Sequence, residues 1–107
     1  MDITTELNGH RATLTPHGDI DFDTLDQVQA GVACLPTATT HVVFDLSDVP
    51  FVDIAGLRLF DSSRNFAHVT VVHPNPQALR VLRLAVRLFP HMDFERHLSE
   101  ADRSQVA

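Results

Sequence analysis

The sequence predicts an α/β fold: a mixed, mostly parallel sheet of about five strands with an antiparallel first strand and helices packed on it. Three observations carry that expectation. Short β-branched runs alternate with segments whose apolar residues recur at steps of three and four. The segments between the later strands are long enough for crossover helices, which parallel strands need. A hairpin signal, Asn8-Gly9, separates the first two alternating stretches.

The elements follow in order along the chain. Residues 2–8 and 11–17 alternate around "NGH", where Asn and Gly both tolerate positive φ, so an antiparallel pair opens the fold. From Phe22 the period changes. Leu25, Val28, Val32 and Leu35 share one helical face, Asp21 and Asp23 stand where they can cap the helix and favour its positive end, and Pro36 stops it. "HVVFDL", 41–46, reads as a strand, and Phe51-Val52 as a shorter one leading into Asp53, where a second helix is expected to begin. "FAHVTVV", 66–72, is the next strand; "HPNP" ends it, with two prolines that cannot donate to a ladder and Asn75 placed to cap the next helix. That third helix is expected over about 76–89, with Leu79, Leu82, Val86 and Phe89 on one face and Arg80, Arg83 and Arg87 on another. Pro90 breaks it, and a last short strand near 92–94 precedes a polar tail with weak helical character.

Composition narrows the classes of function. With 107 residues, 44% of them apolar, the chain is expected to form one domain over 1–107, burying roughly 60 to 70% of the surface its unfolded form exposes. All eight basic residues are Arg and the formal net charge is −6, which disfavours nucleic acid and anionic membrane as partners. The single Cys34 cannot form an internal disulfide, and the N-terminus has neither a cationic start nor an apolar run of signal-peptide length. No apolar stretch approaches the roughly 20 residues that span a bilayer. A cytoplasmic protein without direct membrane insertion is the expectation.

Two stretches carry a family resemblance. "HGDID", 17–21, resembles the Gly-acid-aliphatic-Asp end of the second strand in anti-sigma factor antagonist (STAS) domains. "FDLSDVPFVDIAGL", 44–57, resembles that family's signature, in which a strand and Asp lead into Asp-Ser-Ser-Gly-Leu. The resemblance extends over nearly the whole chain in element order. It implies a STAS fold and a non-enzymatic interaction module without a cofactor. Bacterial members bind an anti-sigma factor, a serine kinase-like protein, and so free its sigma factor; others dock within stress-signalling complexes or onto transporters. By the same resemblance, Asp53, Gly56 and Leu57 match the signature, Ile54 occupies the serine that the partner kinase phosphorylates, and Ala55 is its neighbour.

The missing hydroxyl has a chemical consequence. Phosphate adds about −1.5 to −2 charge and three strong acceptor oxygens, which can make a docking surface incompatible with its partner. Isoleucine cannot receive that group. The resemblance therefore implies a module held in its binding-competent state, unregulated by phosphorylation at Ile54, with Asp53, Ile54, Ala55, Gly56, Leu57 and Arg58 as the partner-binding residues. Taken on their own chemistry, Asp53 is expected to cap the second helix, Gly56 permits close backbone approach, and Ile54 is either core or an exposed apolar contact.

Rival features have simpler readings. The literal Asp61-Ser62-Ser63 is followed by Arg64-Asn65, not Gly-Leu, and Ser62 lies about 12 Å along the expected helix from Ile54 at 1.5 Å per residue; a solvated helix end accounts for it. The stripe Arg80, Arg83 and Arg87 reads as the polar face of an amphipathic helix before it reads as a grip on an acidic partner. Neither His68 with His73 nor His91 with His97 has the spacing of paired helical ligands, and Cys-x-x-Cys is absent, so no metal site is expected. Cys34 reads as a small core residue. Asp19, Asp21, Asp23 and Asp26 lack the turn glycine and terminal Glu of a calcium loop. No Gly-rich phosphate loop is present, and no catalytic residue is expected.

Overall fold

A computed structural model describes residues 1–56 and 68–89 of the chain. Within them the elements run β1 (Asp2–Asn8), β2 (Arg11–His17), α1 (Leu25–Ala33), β3 (His41–Asp45), β4 (His68–Val72) and α2 (Pro76–Leu88). The four strands form one sheet in the order β1-β2-β3-β4. β1 pairs antiparallel with β2, while β2 with β3 and β3 with β4 are parallel. This is the mixed, mostly parallel sheet with an antiparallel first strand that the sequence predicts. The expected strand near 92–94, the expected second helix after Gly56 and the start of the expected 66–72 strand lie outside the described residues.

The hairpin joins the two strands expected over 2–8 and 11–17, but Asn8 belongs to the first strand rather than to the turn. Asn8 pairs with Arg11 in the ladder, so Gly9 and His10 form the two-residue turn. Only Gly9 of the two has positive φ, at 63°, the sign pattern of a type II′ turn, whose twist matches the flanking strands. Pro16 is tolerated inside β2 because the parallel ladder with β3 ends at Leu14↔Phe44, so no donor is needed there on that side.

Alternation in β2, β3 and β4 sends Ala12, Leu14, Val42, Phe44, Val69 and Val71 into a core completed by Val28 of α1 and by Ala78, Leu79, Leu82 and Ala85 of α2. On α2 the apolar face falls as predicted at Leu79 and Leu82, with Val86 and Phe89 half-buried against it and Arg80, Arg83 and Arg87 exposed. Asn75 caps this helix, its side chain accepting from Ala78 N at 2.8 Å. At α1 the expectation needs correction. The N-cap position is Thr24, without a side-chain capping bond. Asp21 acts one turn earlier, its Oδ1 accepting from Asp23 N and Thr24 N at 2.9 and 3.0 Å. Cys34 is exposed rather than core, because the inward face of α1 runs through Val28, Val32 and Leu35 and leaves position 34 pointing away from it.

Candidate functional site

Parallel pairing decides where the site lies. Because β2, β3 and β4 run in the same direction, the chain leaves all three at one end of the sheet. The segments after β2 (18–24), after β3 (46–56) and at the start of α2 therefore converge there. This carboxyl edge is where open α/β sheets place their functional loops.

The segment carrying Phe51, Val52 and Asp53 is fastened on both flanks. On one side Ile20 N donates to Phe51 O at 2.8 Å and Asp53 N donates to Ile20 O at 3.0 Å, a parallel bridge between Ile20 and Val52. On the other, the Gln77 amide acts as a substitute strand: Val52 N donates to its Oε1 at 2.9 Å, and its Nε2 donates to Val52 O at 2.8 Å. Asn75 adds a second grip, its Nδ2 donating to Val49 O at 3.2 Å and Pro50 O at 2.9 Å. One asparagine thus caps α2 and tethers the loop in front of it.

Asp53 joins the two loops. Its Oδ1 accepts from Gly56 N at 2.9 Å, the bond expected of a helix cap, and its Oδ2 accepts from Phe22 N at 3.2 Å. Gly56 is buried where a Cβ would meet Ile20 Cγ2 at 2.7 Å and Ile20 O at 3.1 Å, so the close approach foreseen for this glycine is against the chain's own β2–α1 loop. With Ile20 and Val52 turned into the core, at 0% and 1% exposure, their neighbours face outward. Ile54 is 39% exposed and Phe51 43%, which resolves Ile54 as a surface side chain. Ala55 is half-buried. Leu57, Arg58 and the Asp61-Ser62-Ser63 triplet lie outside the described residues.

Sequence reasoning missed Gln77, Phe22 and Phe51. Gln77 carries no sequence signal, since a glutamine in the first turn of a helix is ordinary. Phe22 was legible only as a helix-side apolar residue, yet it is 78% exposed.

A second polar chain runs alongside. Thr4 Oγ1 lies 2.7 Å from His17 Nε2, and His17 Nδ1 bonds Asp48 Oδ2. The order hydroxyl, imidazole, carboxylate is that of a nucleophile, base and orienting acid. Acyl transfer also needs donors preorganised in a water-excluded pocket, whereas Thr4 and Asp48 are exposed. With Gly18 N donating to Asp48 O at 3.2 Å, the chain ties the edge strand and the end of β2 to the loop after β3. Among the described residues no three His, Cys, Asp or Glu side chains converge as metal donors, and no described helix is long and apolar enough to cross a membrane.

Comparison with known proteins places this framework. No curated protein matches the chain significantly. Among solved structures, it is similar to the anti-sigma factor antagonist SpoIIAA in its unphosphorylated form, with a TM-score of 0.64 and 16% identity over 78% of this chain and 80% of that one. It is also similar to part of the crystal structure of Mglu, with a TM-score of 0.56 and 27% identity over 68% of this chain but 20% of that one. The sequence model described as "Mlab, STAS domain" matches residues 3–86. That match runs from the edge strand β1 through the core to α2, the same framework that holds the Asp53 junction, and the chain belongs to the STAS domain family.

Proposed function

We propose that the protein is a non-catalytic interaction module that binds an anti-sigma factor or another kinase-like protein through the junction from Asp53 to Arg58. One observation carries the reading: directly after the pinned Asp53, an exposed isoleucine stands where the family resemblance puts the regulatory serine. The likeness to the unphosphorylated form of SpoIIAA supports a partner of that type. Burying the 39% of Ile54 that is still exposed contributes about 1 kcal/mol, and no phosphate can be added there to oppose it. Binding is then governed by the amounts of the two proteins. The test is affinity purification from the native cell with mass spectrometry of the proteins that accompany the chain. Ile54→Asp, which places a charge on the contact without touching the core, is expected to remove a kinase-like protein from the bound set; an unchanged set would overturn the assignment of this surface.

The same isoleucine favours a second reading. A contact that cannot be switched off by phosphorylation also suits a permanent accessory subunit of a transporter or stress-signalling scaffold. Stoichiometric co-purification with an ATPase or scaffold subunit, instead of a regulator, would decide for it. Restoring the hydroxyl by Ile54→Ser separates the two further. A co-purified serine kinase is expected to phosphorylate that variant only if the anti-sigma factor reading holds.

A further inference from the structure

Phe22 has the highest exposure of any large apolar side chain among the described residues, 78%. Its backbone is nonetheless held: Phe22 N donates to Asp53 Oδ2, and the next two amides donate to Asp21 Oδ1. The ring is thus presented on a braced turn, which lowers the ordering cost of burying it against a partner. The Ile20–Val52 bridge brings this turn beside the segment that exposes Phe51 and Ile54. Among the described residues of the two segments the charge has one sign. Segments 18–26 and 45–56 contain seven aspartates and neither Arg nor Lys; Asp19, Asp23, Asp26 and Asp48 are exposed.

We infer that Phe22 is the aromatic anchor of the docking surface, with Phe51 and Ile54 beside it. Its aspartate rim selects a protein that presents an apolar hollow bordered by Arg and Lys. This rests on the interaction reading above and extends the surface to the β2–α1 loop. Aromatic residues surrounded by a polar rim carry a disproportionate share of binding energy, and complementary rim charge sets association rate and partner choice. The sign of the charge opposes a nucleic acid or an anionic lipid surface. It also opposes two-fold pairing of this face with itself, which would set aspartates against aspartates.

The inference is tested in the full chain expressed in its native cell, with the photo-crosslinking residue p-benzoylphenylalanine at position 22, at position 54, or at the control position 7, where Leu7 is exposed on the edge strand. Positions 22 and 54 are expected to capture the same polypeptide and position 7 not to. The linked peptides should be apolar and flanked by Arg or Lys. With that polypeptide purified, Phe22→Ala is expected to weaken binding tenfold or more with an unchanged thermal melt, and Phe22→Glu to weaken it further. Replacing Asp19, Asp23 and Asp26 by Asn should slow association at low salt and flatten its dependence on NaCl. If Ile54→Asp abolishes binding while Phe22→Ala stays within twofold, the interaction reading stands and the anchor is refuted. If neither variant matters, the interaction reading itself fails. Capture at position 22 of only a second copy of this chain, or of no protein, also refutes the anchor.

Discussion

A methyl group at position 56 would stand 2.7 Å from Ile20 Cγ2 and 3.1 Å from the Ile20 carbonyl oxygen. Neither neighbour can move easily, since Ile20 is fully buried and its backbone holds the bridge to Phe51 and Asp53. Gly56→Ala gains up to about 1 kcal/mol in helix propensity but meets an overpacking cost of about 1–3 kcal/mol. The net expectation is destabilisation, measured as a lower urea midpoint at unchanged slope. Asp53 acts through acceptors rather than size. Asp53→Ala is expected to cost about 0.5–2 kcal/mol as a lost cap and to speed hydrogen exchange at both Gly56 N–H and Phe22 N–H, whereas Asp53→Asn, which keeps one carbonyl acceptor, should protect only one of them. Equal protection in Asp53→Ala and wild type would refute the two-loop role. The "DIAGL" motif made Asp53 and Gly56 legible; it could not show that both act on Ile20–Phe22, since that contact joins segments far apart in the chain.

Among the elements, α2 does more than fill the core. Its first turn carries Gln77, whose amide pairs with both the N–H and the carbonyl of Val52, and its cap Asn75 holds the two residues before Phe51. The Val52 segment is therefore a strand-like piece with a backbone neighbour on one side and a side chain on the other. Gln77→Ala leaves the N–H and carbonyl of the buried Val52 without these side-chain partners, an expected cost of about 1–3 kcal/mol. Gln77→Glu keeps an acceptor for Val52 N but sets an anion against Val52 O, so it is expected to fail to restore stability. Denaturation of the two variants against wild type checks this; a Glu variant as stable as wild type would show that the Val52 carbonyl does not need its donor. Helix α2 itself was readable from the Asn75 cap, the proline at its start and the Leu79–Leu82 face. Its hold on the site was not, because side-chain pairing with a remote backbone leaves no period in the sequence.

Over the whole molecule, the framework and the exposed surface are expected to be energetically separable. Phe44, on the strand flanked by β2 and β4, is 1% exposed, and Phe44→Ala is expected to cost about 3–5 kcal/mol, a large part of the roughly 5–15 kcal/mol that holds such a domain folded. Ile54→Ser trims a side chain that is 39% exposed and should cost only about 1 kcal/mol. Thermal melts of the two variants test that contrast, and a comparable loss in both would mean that Ile54 belongs to the fold rather than to a partner's surface. The sequence alone determined the order of the described strands and helices, the hairpin, the parallel sheet and the family, because each is encoded in local periodicity, turn chemistry or a contiguous motif. The tertiary structure decided that Ile54 is a surface residue, that Cys34 leaves the core and that Phe22 stands beside the Asp53 junction. The reason is physical: a side chain's exposure depends on which distant segments cover it, and here three loops meet only because parallel strands deliver them to the same end of the sheet.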